Sequence, residues 1–146
     1  NGLENKNSAY KAAEKYVQPA ISIKEDYTEA YVALSEIYEK SGQTSAAIAG
    51  LKNRIKSEPK NIGLLFRLGY LQYQYGDLVG AKGSFLAIIA INPNYSNAKY
   101  YLGLIYDRYD EINKSIQEFE EILKLNPGNQ DIIRILNNLK SGRKAL

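Results

Sequence analysis

Three prolines, Pro59, Pro93 and Pro127, stand 34 residues apart, and much of the chain around them keeps the same step. Leu34, Leu68, Leu102 and Leu136 form one column at that offset, and Ile37, Leu71, Ile105 and Leu139 form a second. Leu51, Phe85 and Phe119 form a third. Small residues hold the same phase: Ser35, Gly69 and Gly103 make one column, Ala47, Ala81 and Ser115 another, and Gly42 and Gly76 share a position between them. A chain with a fixed period of this length stacks copies of one supersecondary unit, because a single copy cannot bury its own apolar face.

Each copy reads as two helices. Residues 28–41 place Ala30, Leu34, Ile37 and Tyr38 on one face at helical spacing. Gly42 then supplies the left-handed residue that commonly ends a helix. The second helix, about 44–57, carries Ala47, Ile48, Leu51 and Ile55 inward. Pro59 stops it, having no amide donor and disfavouring helix in the residue before it. Residues 62–75 and 78–91 repeat the pattern, with Asp77 as N-cap of the second helix. Residues 96–109 and 112–125 repeat it again, with Asp110 expected in the capping role.

The 34-residue helix–turn–helix resembles the tetratricopeptide repeat. The best-matching stretch is Tyr101-Leu102-Gly103-Leu104-Ile105-Tyr106, continuing to Phe119 and Leu125-Asn126-Pro127. The resemblance covers three full repeats, 28–61, 62–95 and 96–129, and implies an all-α, right-handed solenoid of antiparallel helix pairs. At Gly69 and Gly103 the two helices of a repeat are expected to cross closely, leaving no room for a large side chain. Two residues depart from the pattern. Arg54 stands in the column of Ile88 and Ile122, so its stem must be buried and its head solvated or paired. Gln72 replaces the tyrosine seen at Tyr38 and Tyr106.

The flanks keep the register. Residues 7–27 read as half a repeat, with Ala13 and Ala20 in phase and Pro19 marking a kink or restart. Residues 130–146 read as a capping helix and tail, so that 1–146 is expected to be one domain. The end, Leu136 to Leu146, is similar to the tails of repeat domains appended to bacterial membrane proteins of cell-surface polysaccharide assembly. No Met occurs, so the chain reads as a piece of a longer protein, any targeting segment lying outside it. Nothing in it approaches the ~20 apolar residues of a membrane span.

Composition narrows the chemistry. Without Cys or His the chain has no thiolate, no imidazole base and none of the commonest metal ligands. No cofactor is expected. A nucleophile–base pair would have to be Ser–Lys, and no local motif points to one. Glu118, Glu120 and Glu121 lie on a helix whose charges most simply face water, and the glycine-rich run from Gly76 to Gly83 lacks phosphate-loop spacing and follows a helix. The net charge of +3 is spread along the chain, giving no footprint for nucleic acid or membrane. An enzyme is therefore not expected.

What remains is interaction with another protein. By the resemblance, first helices line a concave groove, here through Val32, Glu36 and Glu39, then Phe66, Tyr70 and Tyr73, then Asn97, Tyr100, Leu104 and Arg108, with Glu29 and Asp107 beside them. Aromatic anchors rimmed by polar groups suit a peptide, and the acidic first repeat favours a basic flank. The alternative is that these side chains, among thirteen tyrosines, pack between repeats. A subset of the family grips the carboxylate of chaperone tails with lysine, arginine and asparagine. The corresponding columns here offer Val32, Glu36, Asn97 and Tyr101, with only Arg67 basic, so no such clamp is implied. A second surface is unusually small and uncharged. Outer positions of the second helices read Ala46, Ala49, Gly50 and then Gly80, Gly83, Ser84, Ala87, where the third repeat has Lys114, Gln117, Glu118 and Glu121. Each helical glycine costs about 0.5–1 kcal/mol relative to alanine. Either something packs there, such as a second copy or another part of a parent protein, or the sites are unselected surface.

Overall fold

A computed structural model describes residues 28–146 together with Lys11, Ala12 and Lys15. The expected half repeat over 7–27 and the kink at Pro19 lie outside the described residues. Over 28–146 the chain forms seven helices and no strand. They are α1 (Thr28–Lys40), α2 (Thr44–Ser57), α3 (Ile62–Gln74), α4 (Leu78–Ile91), α5 (Ser96–Arg108), α6 (Ile112–Leu125) and α7 (Gln130–Lys140). Each bound of α1 to α6 lies within one residue of that read from the sequence.

The chain packs as two compact units, Asn1–Gly76 and Asp77–Leu146. In the first, α1, α2 and α3 enclose Ala47, Leu51, Leu64, Leu68 and Leu71, with Tyr31, Val32, Tyr38, Ile48 and Ile55 packed on them. The turn from α1 to α2 is closed by Gly42 at φ 80°, while the Gln43 amide donates to the Tyr38 carbonyl at 2.7 Å. This pattern satisfies carbonyls that a helix end leaves open. Asn61 joins α2 to α3. Its Oδ1 accepts from the Leu64 amide (3.2 Å), and its Nδ2 donates to Thr28 Oγ1 and Glu58 Oε2 (both 2.7 Å). Arg54 meets its requirement: its guanidinium pairs with Glu58 and lies 4.8 Å from the Tyr31 ring centroid. Gln72 is buried.

In the second unit α4 to α7 surround Phe85, Ile88, Leu102, Ile105, Phe119, Ile122, Ile135 and Leu136. Phe85 stacks on Tyr101 with centroids 5.0 Å apart, and Tyr100 meets the Phe119 ring edge-on at 5.8 Å. The close crossing expected at Gly103 is present. A methyl group there would stand 2.6 Å from Phe119 Cε2, and Ser115 Oγ donates to the Gly103 carbonyl at 2.8 Å.

Capping differs from expectation at one turn. Asp77 caps α4, its Oδ1 accepting from the Gly80 amide at 2.8 Å. Asp110 caps nothing; Glu111 is the N-cap residue of α6, and Asp110 takes a left-handed φ of 57°. It stands 34 residues after Gly76 and inherits the reversing position, which an aspartate tolerates better than most side chains.

Two outer positions were also misphased. Ser84 is buried, because Ala81, Ser84, Phe85 and Ile88 form an i, i+3, i+4, i+7 stripe that faces the core. Glu118, one period later, is correspondingly half-buried rather than solvated, 3.8 Å from the Lys99 ammonium.

Candidate functional site

In the first unit, the first-helix positions of two successive repeats lie side by side. Along α1 the residues Glu29, Val32, Ala33 and Glu36 recur at i, i+3, i+4 and i+7, which makes them one stripe. Phe66 and Tyr70 stand one turn apart on α3. Between the two rows is an open groove of about 670 Å³, lined by Thr28, Glu29, Val32, Ala33, Glu36, Gly63, Phe66, Arg67 and Tyr70. Val32, Phe66 and Tyr70 are half-buried, and Glu29 and Glu36 are exposed at the rim. The approach is tight at Gly63, where a Cβ would lie 3.0 Å from Thr28 Cγ2 and 3.4 Å from Asn61 Oδ1.

Among the described residues Arg67 is the cation that lines this groove, and it is held. Its Nη2 donates to Glu39 Oε2 at 2.6 Å and its Nε to Ser35 Oγ at 2.8 Å. The Ser35 hydroxyl in turn donates to the Val32 carbonyl at 2.6 Å. The guanidinium sits 5.9 Å from the Tyr70 ring centroid and is only 10% exposed. A charge paired, hydrogen-bonded and stacked in this way is a wall of the groove rather than a free hook.

The groove therefore gathers Val32, Glu36, Phe66 and Tyr70 from the expected set, and Glu39 touches it through Arg67. Tyr73 is half-buried on α3 and outside that lining. Asn97, Tyr100, Leu104 and Arg108 belong to the second unit. There Asn97 and Arg108 are exposed, and Tyr100 is half-buried edge-on to Tyr101 and Phe119. Leu104 is buried at 6% exposure, spent on the core of α5. Thr28, Ala33 and Gly63 were missed. They are small, and no column marks them; only the approach of Thr28 to Gly63 shows why they count.

The outer-face candidates divide similarly. Ala46, Ala49, Gly50 and Gly83 are exposed, whereas Gly80 and Ala87 are half-buried and Ser84 is buried. A Cβ built on Gly50 or Gly83 meets nothing within 4 Å, so no contact inside the chain demands a glycine at either. Ala46 and Gly50 also edge a smaller cavity of about 250 Å³ between α1 and α2, with Tyr31 and Tyr38 on its other side.

In the second unit, two groups have pKa values raised by burial. Burial raises the carboxyl pKa of Glu118, an effect the nearby Lys99 opposes. Burial also raises the Tyr106 hydroxyl, with the charge of Glu118 adding to it. Neither group faces the groove. Among the described residues no group of three His, Cys, Asp or Glu side chains is placed to hold a metal, and no helix is long and apolar enough to cross a membrane.

No family model matches the chain. Among solved structures, a tetratricopeptide repeat protein from Parabacteroides merdae superposes with a TM-score of 0.78 at 20% identity, over 97% of this chain and 60% of that one. The first TPR of Spaghetti (RPAP3), bound to the HSP90 peptide SRMEEVD, superposes with a TM-score of 0.72 at 17% identity, over 82% of this chain and 94% of that one. The chain has the tetratricopeptide-repeat fold. Within that fold the groove is formed by the first helices of the repeats that begin at Thr28 and Ile62. A repeat-bearing stretch of this kind is also similar to part of a much longer human protein, Protein O-mannosyl-transferase TMTC3, at 28% identity over 126 residues. The match spans 86% of this chain but 14% of that protein, so its transferase name assigns no reaction to these repeats.

Proposed function

We propose that the chain is a protein-interaction module which takes a peptide or protein segment in the groove between α1 and α3. The observation that carries this reading is the groove itself, with half-buried Val32, Phe66 and Tyr70 in its lining beside a rim of carboxylates. An anchor side chain entering there removes apolar surface from water on both partners, while the rim sets orientation. The similarity to a repeat domain bound to a peptide supports it. The reading takes 1–146 as one repeat array within a larger protein, its bacterial setting resting on the tail resemblance alone. It involves no catalytic step. The test is an NMR titration with a peptide library. Shifts gathered on Val32, Phe66 and Tyr70 are expected, and shifts confined to the outer face of α2 would refute the groove.

A second reading has its own observation. On α4 the exposed residues Val79, Gly83, Leu86 and Ala90 recur at spacings of four, three and four, forming an outward apolar stripe, and Val79 is 74% exposed. This face, with Gly83 left open, suits docking to a second copy or to another domain. Analytical ultracentrifugation that finds a monomer at every accessible concentration removes self-association.

A further inference from the structure

The groove reading leaves the chemistry of the ligand open, and the charges around it narrow the choice. Glu29 and Glu36 are both exposed, and among the described residues neither has an ion-pair partner. The guanidinium that could balance them is tied to Glu39 and Ser35. To grip a ligand carboxylate, Arg67 would have to abandon a part-buried charge-assisted pair and its bond to Ser35, which disfavours the exchange. Lys40, one turn beyond Glu36, is exposed at the end of α1 and outside the lining. Among the described residues, the open charges of the groove are therefore negative.

Their spacing carries further information. Glu29 and Glu36 are seven residues apart on one helix face, about 10 Å at 1.5 Å per residue, with Val32 between them and the Phe66–Tyr70 pair opposite. An extended chain covers about 10 Å in roughly three residues, and in a polyproline-II-like segment, with three residues per turn, side chains three apart share one face. We infer that the groove selects an extended segment with lysine or arginine at two positions three apart and an apolar side chain between them, and that it rejects acidic tails. The inference rests on the groove reading and adds the sign and spacing of the ligand's charges. It runs opposite to the acidic peptide SRMEEVD held by the RPAP3 repeat domain.

The test uses fluorescence anisotropy with two fluorescein-labelled peptides, Gly-Lys-Leu-Phe-Lys-Gly and Gly-Glu-Leu-Phe-Glu-Gly, titrated with the full chain at low and physiological salt. The lysine peptide is expected to bind at least about tenfold tighter, with a preference that shrinks as salt rises. Glu29→Gln and Glu36→Gln should each weaken it about 1.5- to 5-fold, the range measured for exposed ion pairs. Both residues are exposed, so both variants should keep the fold. Phe66→Ala, with chemical-shift mapping of the unaltered chain as a second readout should that variant unfold, reports on the groove itself. Equal binding of the two peptides, or indifference to both glutamine variants while mapped shifts remain on Val32, Phe66 and Tyr70, overturns the charge inference and leaves the groove standing. Binding of neither peptide, or shifts elsewhere, overturns both.

Discussion

Replacing glycine by alanine should have opposite signs at two helical positions of this chain, and the contrast tests the packing argument directly. At Gly103 the added methyl would meet Phe119 Cε2 at 2.6 Å, Cζ at 2.7 Å and Cδ2 at 3.0 Å. The ring has nowhere to retreat. Phe119 is fully buried, Tyr100 bears on it edge-on, and the Ser115 hydroxyl ties α6 to the Gly103 carbonyl. Overpacking a closed core costs about 1–3 kcal/mol, and a pinned aromatic ring belongs in the upper half of that range. Alanine's better helix propensity returns about 1 kcal/mol, leaving Gly103→Ala destabilised by about 1–2 kcal/mol. At Gly83 the methyl meets nothing within 4 Å, so only the propensity gain remains and Gly83→Ala should stabilise by about 0.5–1 kcal/mol. Urea unfolding followed by far-UV circular dichroism separates the two as midpoint shifts of opposite sign at constant slope. A double variant, Gly103→Ala with Phe119→Leu, should lose less than the sum of the two single losses, since the smaller side chain relieves the clash. If Gly103→Ala were as stable as the parent chain, the close crossing would not constrain this column and the argument from small residues would fail.

Other expectations concern turns, charge and the tail. Gly76→Ala should cost about 1 kcal/mol by backbone strain alone, because φ is 82° and no atom crowds the site; an unchanged urea midpoint would contradict it. Glu118 is held above the usual carboxylate range by burial, so the folded state binds its proton more readily than the unfolded state does. Stability from this group is then lost as pH rises from the unfolded pKa through the folded one. The difference in urea midpoint between parent and Glu118→Gln, followed across that window, should show this slope, and a slope of the other sign would refute it. Asp107 is buried, and its Oδ2 accepts from the Ala145 amide at 3.1 Å. Asp107→Ala should destabilise by about 1–3 kcal/mol through the stranded donor and should speed hydrogen exchange at Ala145. Lys144→Ala, whose side chain is largely exposed, should leave that exchange nearly unchanged.

The sequence carried the fold to the extent that periodicity could. Columns such as Leu34, Leu68, Leu102 and Leu136 are selected by one core repeated in space, so phase together with its Gly and Pro stops places six helices to within a residue. The errors arose where one residue type can serve two geometries. Asp110 reads as a cap because aspartate is a good one, yet its column is that of Gly42 and Gly76, which marks a reversal. Ser84 and Glu118 read as surface because they are polar, although their phase places them on the inward stripe. Half of the groove was legible, since Val32, Glu36, Phe66 and Tyr70 occupy first-helix positions whose side chains leave the core. Its small members, and the tethering of Arg67 to Ser35 and Glu39, were not. They depend on which side chain of α1 stands opposite which side chain of α3, and a single-chain period does not encode that pairing.

The column of Glu39, Tyr73 and Asp107 shows why a repeat's ligand surface cannot be transferred from one repeat to the next. All three stand at the same phase, 34 residues apart. Glu39 is consumed by Arg67, and Tyr73 is half-buried on α3. Asp107 is taken by the chain's own tail, its carboxylate accepting from Ala145 while Lys144 donates to its carbonyl at 2.9 Å and to Asp110 at 2.7 Å. Phase decides which way a side chain points, whereas its immediate neighbours decide whether it is still available. Glu29 and Glu36 differ from this column in that respect: they point to the same groove and, among the described residues, pair with nothing. On the proposed reading that difference places recognition on α1 and α3, and it makes the sign of the ligand's charge the property to measure first.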